Sequence, residues 1–199
     1  MTKIWKTLLL IIVVCFTACQ NSNTTTTKTS SNTNTSVKEP GISTTSIKGL
    51  TGWERGIKMG KQDKIEEEGT YLNGKREGAW TTYHSRNGLV STITHYKDGL
   101  KNGALVQAND RGEIELVAYY INGELEGAYK KFIRSKIKEE SFYSNGKLEG
   151  TRKQYYDDGS IQVESNYVNG KRDGFEKYYD QEGNVTIEYE YKNGDRVKK

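Results

Sequence analysis

Apolar and polar positions alternate along this chain in short runs, and the runs recur with a period close to 24 residues. The unit Tyr-x-(Asn/Asp)-Gly-x-x-x-Gly begins at Tyr71, Tyr96, Tyr120, Tyr143 and Tyr167, and its first half returns at Tyr191, giving spacings of 25, 24, 23, 24 and 24. Counting back six positions from each repeat tyrosine gives Val90, Ile114, Ile137, Ile161 and Val185; four back gives Thr92, Leu116, Glu139, Val163 and Ile187. Residues two apart share one side of a strand, so the pattern places both columns and the tyrosines on one semi-apolar face. Gln162, Glu164 and Asn166, or Thr186, Glu188 and Glu190, then take a polar face. Five residues after the second glycine of each unit the column reads Tyr83, Ala108, Phe132, Tyr155 and Tyr179, which adds a ring to most repeats.

The turns between runs are equally regular. Asn-Gly or Asp-Gly between two alternating segments is the strongest short hairpin signal, because both residues accept the positive φ of a type I′ turn. It occurs at Asn73-Gly74, Asp98-Gly99, Asn122-Gly123, Asn145-Gly146, Asn169-Gly170 and Asn193-Gly194. A second set of turns is expected at Asn87-Gly88, Arg111-Gly112, Asp158-Gly159 and Glu182-Gly183, with glycine in a left-handed position. The third repeat is a residue short and has no glycine between Phe132 and Ile137, so its turn should be tighter or distorted. A fixed period of two strands and two turns predicts an all-β, elongated, single-layer antiparallel sheet of stacked β-hairpin repeats, in which each unit contacts only its neighbours.

These residues carry a family resemblance. Tyr-x-Asn-Gly-x-x-x-Gly, followed by a Tyr or Tyr-Tyr strand and a second glycine turn, resembles the bacterial variant of the MORN (membrane occupation and recognition nexus) repeat across Tyr71 to Gly194. Residues 71–199 then form the MORN-like array, and residues 47–70, with Gly52-Trp53 and Gly60, a degenerate capping repeat. Chains of this kind resemble a family labelled antitoxin or immunity-like. The resemblance implies protein contacts made by the sheet and brings no catalytic residues.

The first residues lie outside that pattern. Lys3 and Lys6 precede an apolar run from Leu8 to Val14, too short for a membrane span, which needs about 20 residues. Residues 1–18 therefore read as an export signal. The stretch Phe16-Thr17-Ala18-Cys19 resembles a bacterial lipoprotein signal, in which Cys19 is acylated and becomes the mature N-terminus; ordinary cleavage after Ala18 is the alternative. Lipidation implies a chain anchored through its N-terminal lipid, extracytoplasmic and on the outer membrane, with no thiol left for redox, metal or nucleophilic chemistry. Residues 19–46 are rich in Thr, Ser and Asn and hold the single proline, Pro40, so they are expected to be a disordered tether with a reach of roughly 30 Å.

Charge and composition narrow the function further. The signal and tether hold Lys3, Lys6, Lys28 and Lys38 against Glu39, so most of the net charge of +4 lies there and the repeats are almost neutral. Nucleic-acid binding through phosphate neutralisation is not expected. All 14 tyrosines fall between Tyr71 and Tyr191, where large amphipathic rings can supply the buried area of a thin structure. His84 and His95 match no triad or metal-ligand spacing, Glu66-Glu67-Glu68 lacks a calcium-loop pattern, and Asn-Gly-x-x-x-Gly opens no phosphate-binding helix. No cofactor and no enzymatic activity are expected. A single sheet leaves a face open, so Trp80, Tyr83, Tyr129, Phe132, Tyr155 and Tyr179 are the candidate lining of an exposed groove for an unidentified protein partner. Stacking of the same rings on sugars makes cell-wall or polysaccharide binding the alternative.

Overall fold

The computed structural model describes residues 39–198. The signal, Cys19 and the tether as far as residue 38 lie outside the described residues. The described part is all-β: a single open antiparallel sheet of 15 strands in one layer, with no α-helix among the described residues. It begins with β1 (Ile42–Ser46), β2 (Trp53–Met59), β3 (Ile65–Leu72) and β4 (Lys75–Tyr83). The middle is β5 (Val90–Lys97), β6 (Leu100–Ala108), β7 (Ile114–Ile121), β8 (Glu124–Ile133) and β9 (Lys136–Ser144). The array closes with β10 (Lys147–Leu148), β11 (Gly150–Tyr155), β12 (Ile161–Val168), β13 (Lys171–Tyr179), β14 (Val185–Lys192) and β15 (Asp195–Arg196). Spatial order follows chain order, with β10 a short stub on β9.

The repeat chemistry explains each bend. Asn73 (φ 50) and Gly74 (φ 76) are both left-handed, and the same signs recur at the other Asn-Gly and Asp-Gly pairs, as a type I′ turn requires. The second glycine of the unit serves a different purpose. Gly78 (φ 73) sits at a break in the β3–β4 register between Glu68 and Thr70, so it absorbs a bulge inside a strand. The short third repeat turns on Arg134 (φ 51) and Ser135 (φ 60) alone, the tighter turn its length demanded.

Successive turns are also tied to one another. The Gly99 amide donates to the Arg76 carbonyl at 2.9 Å, and Gly123, Gly146, Gly170 and Gly194 repeat the bond to Lys101, Leu125, Leu148 and Arg172. Beside it, a carboxylate one residue before the second glycine accepts the next turn's Asn or Asp amide. Glu77 takes Asp98 at 2.9 Å, Glu126 takes Asn145 at 2.7 Å, Glu149 takes Asn169 at 2.8 Å and Asp173 takes Asn193 at 3.2 Å. The turns thus form a hydrogen-bonded spine along one margin of the sheet.

Cross-strand register assigns the two faces. One carries Tyr71, Tyr96, Tyr120, Tyr143, Tyr167 and Tyr191, and we refer to it as the tyrosine face. Every described residue that is fully buried lies on it: Gly56, Tyr71, Trp80, Thr94, Leu105, Ala118, Glu139, Ser141, Ser165 and Glu176. A sheet with no second layer buries them by laying large side chains over small ones. Two positions before each repeat tyrosine stand Gly69, Thr94, Ala118, Ser141 and Ser165. Across from this column stand Trp80, Leu105, Tyr129, Arg152 and Glu176. The Trp80 indole lies directly over Gly69, meets Tyr71 edge-on at 4.9 Å and donates to the Thr70 carbonyl at 2.9 Å.

Three expectations are corrected. The tether does not run to residue 46, because Ile42–Ser46 is β1, paired with Lys58 through Glu54 of β2. Backbone pairing holds this strand, since its side chains are mostly exposed, and so hydropathy gave no sign of it. The columns four and six before the tyrosine do not share a face. A register break in each of these strands, as between Thr82 and Tyr83, skips one residue and sets Val90 opposite Tyr83. The other face is therefore not uniformly polar.

A Cβ on Gly69 would stand only 2.3 Å from the Trp80 indole, well inside van der Waals contact. Gly69→Ala should destabilise the array by about 1–3 kcal/mol, as overpacking of a tight core does. A shift of the urea midpoint at unchanged slope checks this.

Candidate interaction surface

On the tyrosine face, cations and leucines from one hairpin interleave with tyrosines of the next. Arg76 stands 4.0 Å over Trp80 and 5.2 Å over Tyr96, Lys101 is 5.0 Å over Tyr120, and Arg172 is 4.7 Å over Tyr191. Arg76 also binds Glu67 at 2.6 Å and clasps both carboxylate oxygens of Glu39, which lies upstream of β1. Toward the C-terminus the covering groups become charged. Glu139 accepts from Arg152 at 2.7 Å and from Ser141 at 3.2 Å, and Glu176 accepts from Arg172 at 2.9 Å and Ser165 at 3.1 Å. Burial alone would push the Glu139 carboxyl up, yet Arg152, Lys131 and Ser141 together hold it below the ordinary glutamate range.

The opposite face is built in rows. One row, built at the register breaks, sets an apolar pair in every hairpin, with Glu66, Ser91, Glu115, Lys138, Gln162 and Thr186 as the residues skipped at the breaks. It starts at Met59, Ile65, Tyr83, Val90, Ala108 and Ile114, and continues through Phe132, Ile137, Tyr155, Ile161, Tyr179 and Val185. From β4 on, rings or alanine on one strand alternate with β-branched residues on the next. All of it is at least partly open to solvent, with Ile114 45 % and Val185 48 % exposed. The two tyrosine hydroxyls at Tyr83 and Tyr155 donate to Glu68 and Glu140 at 2.6 Å each. Burial first, and these carboxylates second, push both phenols up to about 12, so both remain donors throughout the physiological range.

Beside this stripe runs a second row that changes character midway. Ile93, Val106 and Val117 give way to Lys130, Glu140, Lys153, Glu164, Lys177 and Glu188. Lys130 meets Glu140 at 2.6 Å, Lys153 meets Glu164 at 3.6 Å, and Lys177 meets Glu188 at 3.5 Å. A third row exposes Tyr119, Phe142 and Phe175.

The candidate residues therefore divide. Tyr83, Phe132, Tyr155 and Tyr179 lie in the open stripe. Trp80 is 1 % exposed, and Tyr129 faces Ala118 and Ser141 with its ring 5.4 Å from Tyr143; both belong to the tyrosine face and form no groove with the other four. Their strands carry them on the alternate side, two positions from the bulge glycine. The sequence reading missed Phe142, Phe175 and the charged row, and the period-two spacing from Tyr155 to Lys153 could have found the latter. His84 and His95 have structural partners, the Ala108 carbonyl at 2.9 Å and the Ala104 carbonyl at 3.1 Å. Glu66, Glu67 and Glu68 meet Lys58, Arg76 and Arg55. Among the described residues no group of three His, Cys, Asp or Glu side chains is placed to hold a metal ion, and no helix is long and apolar enough to cross a membrane. Cys19 lies outside the described residues.

An open sheet of repeated hairpins, with one self-covered face and one open stripe, defines a repeat protein of the hairpin-array class. Within it, residues 148–169 and 172–193 match the family model described as MORN repeat variant. None of the curated proteins compared with the chain matches it.

Arg152→Ala leaves the Glu139 carboxylate buried without its cation. We expect a loss of about 2 kcal/mol at pH 7, low for a buried pair because the guanidinium side chain is 27 % exposed. In the wild type the depressed Glu139 pKa contributes stability above the unfolded glutamate value, lost as pH falls from about 4.5 downward. The variant's deficit should therefore shrink on acidification, as read by denaturant midpoints between pH 7 and pH 3.

Proposed function

We propose that this chain is a non-enzymatic, membrane-anchored protein-binding module whose open stripe is the contact surface, with Cys19 carrying the lipid on the outer membrane. The match of two repeats to the MORN repeat variant supports repeat-mediated binding. The observation that carries the reading is the stripe, an apolar pair left at least partly open in every hairpin. Large apolar patches left open on a folded protein mark partner sites, and this one crosses the sheet from Met59 to Val185. Aliphatic residues between the rings favour a protein surface over a glycan, which would use ring faces framed by hydrogen-bonding groups. An antitoxin or immunity role is the special case in which the partner is a toxin.

Two measurements test this. Crosslinking in the native cell should lose its partner when Tyr83, Phe132, Tyr155 and Tyr179 are all changed to Ser, while the buried Trp80 network on the other face keeps the array folded; retained crosslinks in a folded variant would overturn the stripe. Cys19→Ala should move the chain from the detergent phase to the aqueous phase on phase partition. Unchanged partition would remove the lipid anchor.

A further inference from the structure

We propose that the C-terminal half of the stripe face, β8 to β14, is the interface of a two-fold dimer with a second copy of this chain, packed sheet on sheet. This rests on the reading of the stripe as a contact surface. The argument is the order of residues in the three rows. From β8 to β14 the charged row alternates in sign, Lys130, Glu140, Lys153, Glu164, Lys177, Glu188. Read backwards, an alternating row of even length exchanges its signs. A two-fold axis parallel to the strands, passing between β11 and β12, therefore sets Lys153 of one copy against Glu164 of the other, Glu140 against Lys177, and Lys130 against Glu188.

The same axis satisfies the stripe and the centre of the outer row, whose ends, Ala128 and Glu190, meet without a charge clash. In the stripe it sets Tyr155 against Ile161, Ile137 against Tyr179 and Phe132 against Val185, a ring against a β-branched residue each time. In the outer row it brings Phe142, 49 % exposed, onto Phe175, 43 % exposed, and Thr151 onto Asn166. An isologous interface requires this kind of self-complementarity, in which a residue that meets a second is met by it in return. No row places like charges opposite each other. Sheets packed in this way lie about 10 Å apart with strands within about 30° of parallel, close enough for Lys and Glu side chains to meet between the layers. Six strands at about 4.8 Å and three rows at about 6.8 Å make a face of about 29 by 20 Å, and two such faces reach the roughly 1,000 Å² of a specific interface. The N-terminal half of the stripe, from Met59 to Ile114, stays open for another partner.

Sedimentation of the full chain in density-matched detergent tests the dimer through its charges. Glu140→Lys, Glu164→Lys and Glu188→Lys together give an all-cationic row; Lys130→Glu, Lys153→Glu and Lys177→Glu give an all-anionic one. Each alone should weaken self-association by at least about tenfold, since like charges then face each other. An equimolar mixture should restore a heterodimer. Phe142→Ser with Phe175→Ser, which leaves the charges alone, should weaken the wild-type dimer as well. A monomeric wild type, or a mixture that stays monomeric while both components keep their β-sheet circular dichroism, overturns the dimer. If the wild type is monomeric but the stripe variants still lose their cellular partner, self-pairing alone falls. If those variants also keep every crosslink, the contact reading falls with it.

Discussion

The array depends on one steric rule: a small residue two positions before each repeat tyrosine, covered by a large side chain from the neighbouring strand. A single-layer sheet has no opposing layer to exclude water, so its interior must be assembled on one face from its own side chains. Gly69 accommodates the whole Trp80 indole, Thr94 lies between Trp80 and Leu105, and Ala118 lies between Leu105 and Tyr129. Where the rule lapses, the local chemistry changes. Tyr189 occupies the small position of the last full strand, and instead of being covered it packs edge-on to Tyr178 at 6.2 Å with Arg196 stacked at 3.8 Å.

The covering side chain is also where the repeats differ in stability. Trp80, Leu105 and Tyr129 exclude water by apolar area, at about 25 cal/mol per Å² removed from water. Arg152 and Glu176 occupy the same place with charges, and they need Glu139, Arg172, Ser141 and Ser165 to satisfy them. Charged cores contribute less net stabilisation than apolar ones of equal volume, because desolvation offsets much of the attraction. In a quasi-one-dimensional array such differences stay local, so the aromatic N-terminal repeats should open last and the charged C-terminal repeats first. The turn spine, the same in every repeat, couples neighbours irrespective of their core chemistry.

Much of this was legible in the chain. Asn-Gly spacing gave the hairpins, and the missing glycine between Phe132 and Ile137 gave the tight third turn. Alternation placed the tyrosines and the column four before them correctly. It failed six before, because strict period-two reading has no place for a bulge, and a skipped residue such as Ser91 moves Val90 to the other side. The same error hid the stripe: Tyr83 and Val90 were each recognised as apolar and assigned to different surroundings, while pairing sets them side by side. Trp80 was misjudged for another reason. Its exposure is decided by the absent side chain of Gly69, on a strand whose contact with it is invisible without register. The backbone pairing of Ile42–Ser46 left no hydropathy signal at all.

The two faces are therefore under different constraints. On the tyrosine face the small positions Gly69, Thr94, Ala118, Ser141 and Ser165 each lie against a larger side chain of a neighbouring strand, so a larger residue there would clash with it. On the stripe face, Ala108 occupies the position that Tyr83, Phe132, Tyr155 and Tyr179 fill elsewhere, with Ile114 beside it, and the hairpin around it is as regular as the others. A ring at that position is thus not required for the hairpin to form. The array keeps rings there in four repeats although they are left partly in water, where they forgo the stabilisation that full burial would bring. Each such ring still packs on a β-branched partner across the strand, so it is the area left in water, not the presence of the ring, that supports the proposed contact surface.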